Sequence, residues 1–101
     1  MKSKTSDAVE ILERIVGSDF KAKERIEEAT FNARIAQMIY QARIAKKLTQ
    51  KQLAEKIGTT QPVIARLEDA EYEGHSLAML HRIAKGLNLK LSVEFCKGQL
   101  T

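Results

Sequence analysis

The sequence predicts a mainly α-helical fold, a bundle of about five helices followed by one C-terminal β-strand. The 101-residue chain contains one proline and five glycines, so few positions must interrupt a helix. Apolar residues recur every three or four positions along most of the chain, which is the spacing of one helix face. From residue 89 the spacing changes to two, which is typical of a strand.

The N-terminal part of the chain predicts two helices. In the segment 7–16, the apolar residues at helical spacing are Ala8, Ile11, Leu12 and Ile15. We expect Ser6 to cap this helix and Gly17 to end it. A second helix is expected from Asp19 to about Lys47, either continuous or bent near Thr30.

Residues 48–68 predict two short helices joined by a glycine turn. Thr49 and Gln52 have the spacing of a capping box, which satisfies two backbone donors at a helix start. Gly58 suits the left-handed turn that ends such a helix. Thr60 is expected to cap the next helix, with Pro62 in its first turn, where a missing N–H costs little.

A last helix and a strand are expected at the C-terminal end. Ser76 is predicted to cap a helix that ends near Gly86. The residues that then alternate with polar ones are Leu89, Leu91, Val93 and Phe95. One strand cannot satisfy its own backbone hydrogen bonds. Either this segment pairs with a second chain, and these four residues form a dimer contact, or it is not a strand.

Composition and charge exclude several classes of protein. Aromatic residues make up 5% of the chain, too few for a surface that stacks single-stranded bases. The single cysteine, Cys96, excludes an internal disulfide and fits a reducing compartment. No apolar run has the length of a membrane span and the first residues lack a signal-peptide core, so we expect a cytoplasmic protein without a membrane partner.

The sequence predicts no enzyme, no cofactor and no metal. His75, His81 and Cys96 are too few for a zinc site and have no suitable spacing. Ser76 and His81 lack the third group that would orient a nucleophile and its base. The net charge of +4 favours a polyanionic partner only weakly.

The segment LTQKQLAEKIGTTQPVIARLE, residues 48–68, is the most informative in the chain. Ala54 is small where two helices must approach closely, and the residues expected in their shared core are Leu53, Ile57, Ile64 and Leu67. Such a pair projects the start of its second helix outward, where that helix can enter a major groove of DNA. This pattern resembles the helix-turn-helix of the phage repressor and Cro-like family (the Xre family), over residues 34–87.

The resemblance implies a lambda-repressor-like bundle that binds a palindromic operator in double-stranded DNA as a homodimer. It divides the chain into a helical extension at 1–30, a DNA-binding domain at 31–88 and a dimerising strand and tail at 89–101. Gln50 would touch a phosphate and brace the second helix, while Gln61 and Arg66 would pair with adenine and guanine. Thr60 would face the groove, or cap the helix and meet a phosphate through its backbone.

The motif departs from the family at Pro62, where the family often has a polar, base-reading residue. Pro62 would contact a thymine methyl group or only stiffen the helix start. Arg43, also a candidate DNA-binding residue, matches a position that pairs with the glutamate closing the motif, here Glu68. Residues 48–70 carry three basic and three acidic side chains, whereas residues 1–47 carry ten and seven.

The sequences that flank the motif resemble antitoxins of the HigA type, most distinctly at EDAEYEGHSL, residues 68–77. This resemblance implies a repressor of its own operon that neutralises a small basic ribonuclease toxin of the RelE/HigB fold. The amphipathic segment from Val9 to Val16 would bind that partner, or pack on its own domain. The alternatives are a stand-alone Xre-family regulator without a toxin, and a protein-interaction module whose DNA motif is vestigial.

Overall fold

The computed structural model describes the backbone of residues 4–98 and the side chains of residues 20–98. This part of the chain contains four α helices. They are α1 (Lys4–Ala45), α2 (Gln50–Ile57), α3 (Gln61–Leu67) and α4 (Leu77–Gly86). None of them combines the length and the apolar composition that a membrane span requires.

The sequence predicts two N-terminal helices, but the structure has one continuous helix of 42 residues in their place. The described part of the chain therefore has four helices instead of the expected five. The predicted stop at Gly17 and the predicted starts at Ser6 and Asp19 all lie inside α1. A glycine inside a helix costs about 1 kcal/mol relative to alanine, which weakens a helix without ending it. The helix also continues through Thr30, whose hydroxyl donates to the carbonyl of Ile26 at 2.8 Å.

The end of α1 is set by a residue that is not glycine. Lys47 has a φ of 59° in the left-handed region, and the N–H of Leu48 donates to the carbonyl of Arg43 at 3.3 Å. This bond closes the last turn in the manner of a Schellman motif. The helix therefore ends at Ala45, slightly before the predicted Lys47.

The predicted caps of α2 and α4 are confirmed. The N–H of Gln52 donates to Oγ1 of Thr49 at 3.0 Å, and the N–H of Thr49 donates to Oε1 of Gln52 at 2.8 Å. Gly58 follows α2 with a φ of 73°. Ser76 caps α4 by accepting a hydrogen bond from the N–H of Met79 at 3.1 Å.

The core lies where α2, α3 and α4 pack against the C-terminal part of α1. Its buried members are Ile39, Leu53, Ala54, Ile64, Leu67, Leu80, Ile83 and Leu87. Gly86 permits a close approach of α4 to α2, because a Cβ there would collide with the side chain of Ile57. This packing fixes α2 and α3 relative to each other.

The predicted C-terminal strand is absent from the described part of the chain, where residues 89–98 form neither helix nor strand. A strand needs a neighbour to hydrogen-bond with, and this single chain offers none between residues 4 and 98. Leu91 packs against the core, but Val93 is 64% exposed and Phe95 is fully exposed. The alternation in the sequence therefore does not correspond to a buried face within one chain.

Candidate nucleic-acid interface

One side of α3 points away from the core. Ile64 and Leu67 are buried and Val63 is half-buried, so they fill the inner side of this seven-residue helix. At 3.6 residues per turn, the remaining positions share the opposite side. We call this side the α3 outer face, and it consists of Gln61, Pro62, Ala65 and Arg66.

The α3 outer face brings together three residues predicted to touch bases and one that sequence reasoning missed. Gln61, Pro62 and Arg66 are exposed, and Ala65 is half-buried between them. Ala65 lies four positions after Gln61, so helical spacing alone was a sufficient signal for it. The resulting surface has two hydrogen-bonding side chains and two small apolar ones.

The turn before α3 is held by backbone contacts to α2. Gly58 adopts the left-handed conformation, and the N–H of Thr59 then donates to the carbonyl of Ala54 at 2.9 Å. Leu53 and Ala54 are almost completely buried beneath this turn. The outer face of α3 is thus presented by a rigid support rather than by a mobile loop.

A chain of hydrogen bonds connects α3 with the start of α2. The side-chain N–H of Gln61 donates to Oε1 of Gln50 at 2.6 Å, and the side-chain N–H of Gln50 donates to Oε1 of Glu68 at 3.2 Å. Gln50 therefore contacts both ends of α3. The bracing of α3 by Gln50, which the family resemblance implied, is present as a direct contact.

Glu68 ends this chain in a buried ion pair with Arg43. Nε and Nη2 of Arg43 donate to the two carboxylate oxygens of Glu68 at 2.7 and 2.9 Å, and Nη1 donates to the carbonyl of Leu48 at 2.8 Å. The two side chains are 8% and 4% exposed. The hydrogen bonds to Glu68 raise the pKa of Arg43 above its ordinary value, because they favour its charged form.

Arg43, which the resemblance also offers as a DNA contact, is held within the protein by this ion pair. Its guanidinium is buried, lies 5.4 Å from the ring centre of Tyr40, and has committed all three of its nitrogens to protein acceptors. Its role is to connect the end of α1 with the end of α3 and the start of α2.

Thr60 has a different position from the other capping residues. Its backbone is at the N-cap of α3, but its side chain makes no capping hydrogen bond. The residue as a whole is exposed. Thr60 is therefore the N-cap residue of α3, as predicted, but without a capping hydrogen bond from its side chain.

Charge is unevenly distributed around the α3 outer face. Lys46, Lys47 and Lys51 are exposed near the start of α2. The loop after α3 carries exposed Asp69, Glu71 and Glu73, and Asp69 accepts a hydrogen bond from the N–H of Glu71 at 2.9 Å. Exposed basic side chains therefore precede the helix pair and lie at its start, and exposed acidic ones follow it in the sequence.

The histidines considered for catalysis or metal binding do not form a site. Nε2 of His75 lies 2.7 Å from the carbonyl oxygen of Leu67, and its ring packs edge-on against Tyr72 at 5.0 Å. His81 and Cys96 are exposed. Among residues 20–98, whose side chains are described, no group of three or more histidine, cysteine or acidic residues is arranged to hold a metal ion.

A family model described as helix-turn-helix matches residues 39–93, which is more than half of the chain. The chain belongs to this helix-turn-helix family. Its group is that of the Xre and lambda-repressor-like proteins, which are DNA-binding regulators of transcription. Comparisons with curated proteins and with solved structures found no match. The matched region contains α2, α3 and α4, and most of α1 lies before it.

Proposed function

We propose that this helix-turn-helix protein represses transcription by binding a specific double-stranded DNA sequence through the α3 outer face. The main support for the proposal is that Gln61, Pro62 and Arg66 are exposed together on α3. This helix is held in place by the hydrogen bond between Gln50 and Gln61 and by the buried ion pair between Arg43 and Glu68. Because α3 is already ordered before binding, it can enter a major groove without a further loss of conformational entropy.

Gln61 and Arg66 are the proposed base-reading residues. Gln61 uses one side-chain N–H in its bond to Gln50, so its second N–H and its Oε1 are left for the N7 and N6 groups of adenine. The exposed guanidinium of Arg66 suits O6 and N7 of guanine. Pro62 and Ala65 have no donor to offer, and we assign them to contacts with thymine methyl groups.

The phosphate contacts are assigned to the edge of the same surface. Thr60 offers an uncommitted hydroxyl, and Gln50 has one side-chain N–H beyond the one that it donates to Glu68. Lys51 adds a positive charge at the start of α2. These groups would position the protein on the duplex without selecting its sequence.

Selection of binding sites from a randomised double-stranded DNA pool, followed by fluorescence anisotropy titrations, tests the proposal. We expect Arg66→Ala to weaken binding to the selected site by about 1–3 kcal/mol and to relax discrimination at one base pair. Arg34→Ala removes an equally charged, exposed arginine from α1 and is expected to leave this discrimination unchanged. Failure to enrich any sequence, or equal effects of the two variants, would contradict the assignment.

We also propose that the operator is palindromic and is bound by a homodimer, with half-sites about one helical turn apart. The residues assigned to the C-terminal dimer contact are Leu89, Leu91, Val93 and Phe95. Leu91 already packs on its own core, so the contact depends on the exposed side chains of the other three. Val93→Pro should reduce the dimer content in sedimentation experiments, because proline removes a donor from a strand pair. An unchanged dimer would exclude this segment as the contact.

The finer proposal is that this cytoplasmic regulator is the antitoxin of a HigA-type operon. Its support is the resemblance of the flanking sequences, together with an acidic patch on α1 that suits a small basic toxin. In this patch Glu24, Glu27 and Glu28 lie on the same side of α1 as the exposed ring of Phe31. The other candidate segment, Val9 to Val16, lies outside the residues whose side chains the structure describes.

Co-expression of the tagged protein with its neighbouring gene tests the antitoxin proposal. We expect a stoichiometric complex with a small basic protein, weakened by charge reversal at Glu27 but not at Glu73, an exposed acid in the loop after α3. If no such protein is encoded or bound, the chain is a stand-alone Xre-family regulator. That outcome would leave the DNA-binding proposal intact.

A further inference from the structure

The loop between α3 and α4, residues 68–76, folds back onto the end of α3 through one histidine. Nε2 of His75 lies 2.7 Å from the carbonyl oxygen of Leu67, the last residue of α3. A carbonyl oxygen only accepts hydrogen bonds, so Nε2 carries the proton and is the donor. The last carbonyl groups of a helix have no partner within that helix. His75 therefore supplies, from the loop, a donor that α3 itself lacks.

The other ring nitrogen of His75 is left without a partner. Nδ1 is buried and has no hydrogen-bond partner among the described residues. Because Nε2 holds the proton, Nδ1 is an acceptor, and a buried acceptor without a donor costs free energy. The fold thus keeps the contact between His75 and Leu67 although it leaves an unsatisfied atom on the same side chain.

Tyr72 and Gly74 hold the ring of His75 in this orientation. The ring of Tyr72 packs edge-on against that of His75, with 5.0 Å between the ring centres, and also packs against the core. The hydroxyl of Tyr72 donates to the carbonyl of Gly74 at 3.2 Å, and a Cβ on Gly74 would collide with the Tyr72 ring. These contacts lie within the loop and the core, so the loop presents its donor to α3 in a defined place.

The last turn of α3, which His75 contacts, carries Arg66. The N–H of Glu68 donates to the carbonyl of Ile64 at 3.0 Å, and the N–H of Asp69 donates to the carbonyl of Arg66 at 3.1 Å, so these two amides close the turn. A helix of seven residues is too short to be stable by itself, and its last turn depends on contacts from outside the helix. The direction of the Arg66 side chain therefore depends on how this turn is held.

We propose that His75 is a positioning residue for Arg66, because its bond to the carbonyl of Leu67 fixes the last turn of α3. The inference rests on the proposed function, in which Arg66 pairs with guanine, and adds to it a residue outside the α3 outer face. A bidentate contact tolerates little displacement, since two N–H groups must meet two acceptors at once. His75 acts through α3 and needs no contact of its own with DNA.

Two amide side chains at position 75 isolate the effect of the bond to Leu67. The amide nitrogen of glutamine is three bonds from Cβ, as Nε2 of histidine is, whereas that of asparagine is only two bonds away. His75→Gln therefore retains a donor within reach of the Leu67 carbonyl, and His75→Asn does not. Both variants lose the aromatic ring and both are neutral, so the comparison changes little except the bond.

Fluorescence anisotropy with the selected DNA site measures the effect on base reading. We expect His75→Asn to raise the dissociation constant by about two- to tenfold, the range for one lost hydrogen bond, and to relax discrimination at the base pair assigned to Arg66. His75→Gln should restore most of both. In an Arg66→Ala background, His75→Asn should cause no further loss of discrimination at that pair, since the residue that it positions is gone. A purely structural role would leave the base preference of the folded protein unchanged.

Amide hydrogen exchange tests the positioning without DNA. Exchange at Glu68 and Asp69 should be faster in His75→Asn than in the wild-type chain, and close to the wild-type rate in His75→Gln. Arg82→Ala is the matched control, because Arg82 donates in the same way to the carbonyl of Ile57, the last residue of α2. It should leave both the exchange at Glu68 and Asp69 and the base discrimination unchanged.

The two measurements separate this inference from the proposed function. If the wild-type chain selects no DNA sequence, the proposed function fails, and the exchange rates still decide whether His75 holds the end of α3. If a sequence is selected but His75→Asn and His75→Gln behave alike, or exchange quickens while discrimination is unchanged, the positioning role is overturned. Gly74→Ala, whose added Cβ collides with the Tyr72 ring beside His75, is a second variant that should relax the same discrimination.

Discussion

Two segments of α1 have similar helical patterns but opposite environments. In the segment 35–45, Ala36, Ile39 and Arg43 are all less than 10% exposed. In the segment 20–31 every side chain is exposed, including Phe20, Ile26 and Phe31. Apolar spacing therefore predicts a helix in both segments but does not say whether the apolar face meets its own core. The packed segment supports the fold, and the projecting segment offers surface for other molecules.

The largest expected effect at the packed end comes from the ion pair that closes it. Glu68→Ala would leave the buried guanidinium of Arg43 without its carboxylate partner, and we expect the free energy of unfolding to fall by about 3–5 kcal/mol. Urea unfolding measures this change. Glu73→Ala removes an exposed acid from the following loop and should change the free energy of unfolding by less than about 0.5 kcal/mol. Similarly small changes in both variants would mean that the ion pair between Arg43 and Glu68 contributes little to the free energy of unfolding.

Substitutions at Leu53 and Phe31 allow a direct comparison of the buried and the exposed environment. Leu53 is 0% exposed in the core, whereas Phe31 is 63% exposed on the projecting segment. We expect Leu53→Ala to reduce the free energy of unfolding by about 2–5 kcal/mol, because it removes packed atoms and leaves a cavity. Phe31→Ala should change it by no more than about 0.5 kcal/mol. A large loss from Phe31→Ala at low protein concentration would show that the ring is covered after all.

Local signals predicted the helix-turn-helix well. The capping box of Thr49 and Gln52 and the left-handed Gly58 depend on residues within one or two turns, so their spacing is visible in the sequence. The family resemblance also paired Arg43 with Glu68 correctly, although the pair joins residues 25 positions apart. The side chain of Ala65 gives no chemical signal of a DNA contact, because an alanine has no hydrogen-bonding group. Only its place on the helix puts it on the outer face.

The errors arose where the outcome depends on what the segment packs against. The sequence predicts that Gly17 ends a helix, but α1 continues through it. A glycine weakens a helix and does not by itself end one. The alternation from Leu89 to Phe95 satisfies the pattern of a strand, yet a strand also requires a partner. The bond between Gln50 and Gln61 depends on how α2 and α3 are packed, so periodicity alone would not have located it.

The smallest effect is expected at Thr60, and Thr49 is its matched control. Both are threonines at the N-cap of a short helix, but only Thr49 uses its hydroxyl to cap that helix. Thr49→Ala should therefore lower the free energy of unfolding by about 0.5–2 kcal/mol. Thr60→Ala should change it by only a few tenths, since no capping bond is lost.

DNA affinity should reverse this order, because Thr60 is exposed beside Gln61 and its hydroxyl makes no capping bond. Thr60→Ala is expected to weaken binding to all sequences, as loss of a phosphate contact does, while Thr49→Ala leaves binding by the folded protein unchanged. Urea unfolding and anisotropy titrations of the same two variants measure both properties. If Thr60→Ala destabilises the fold as much as Thr49→Ala, its hydroxyl caps α3 in solution, and its place among the DNA contacts is lost.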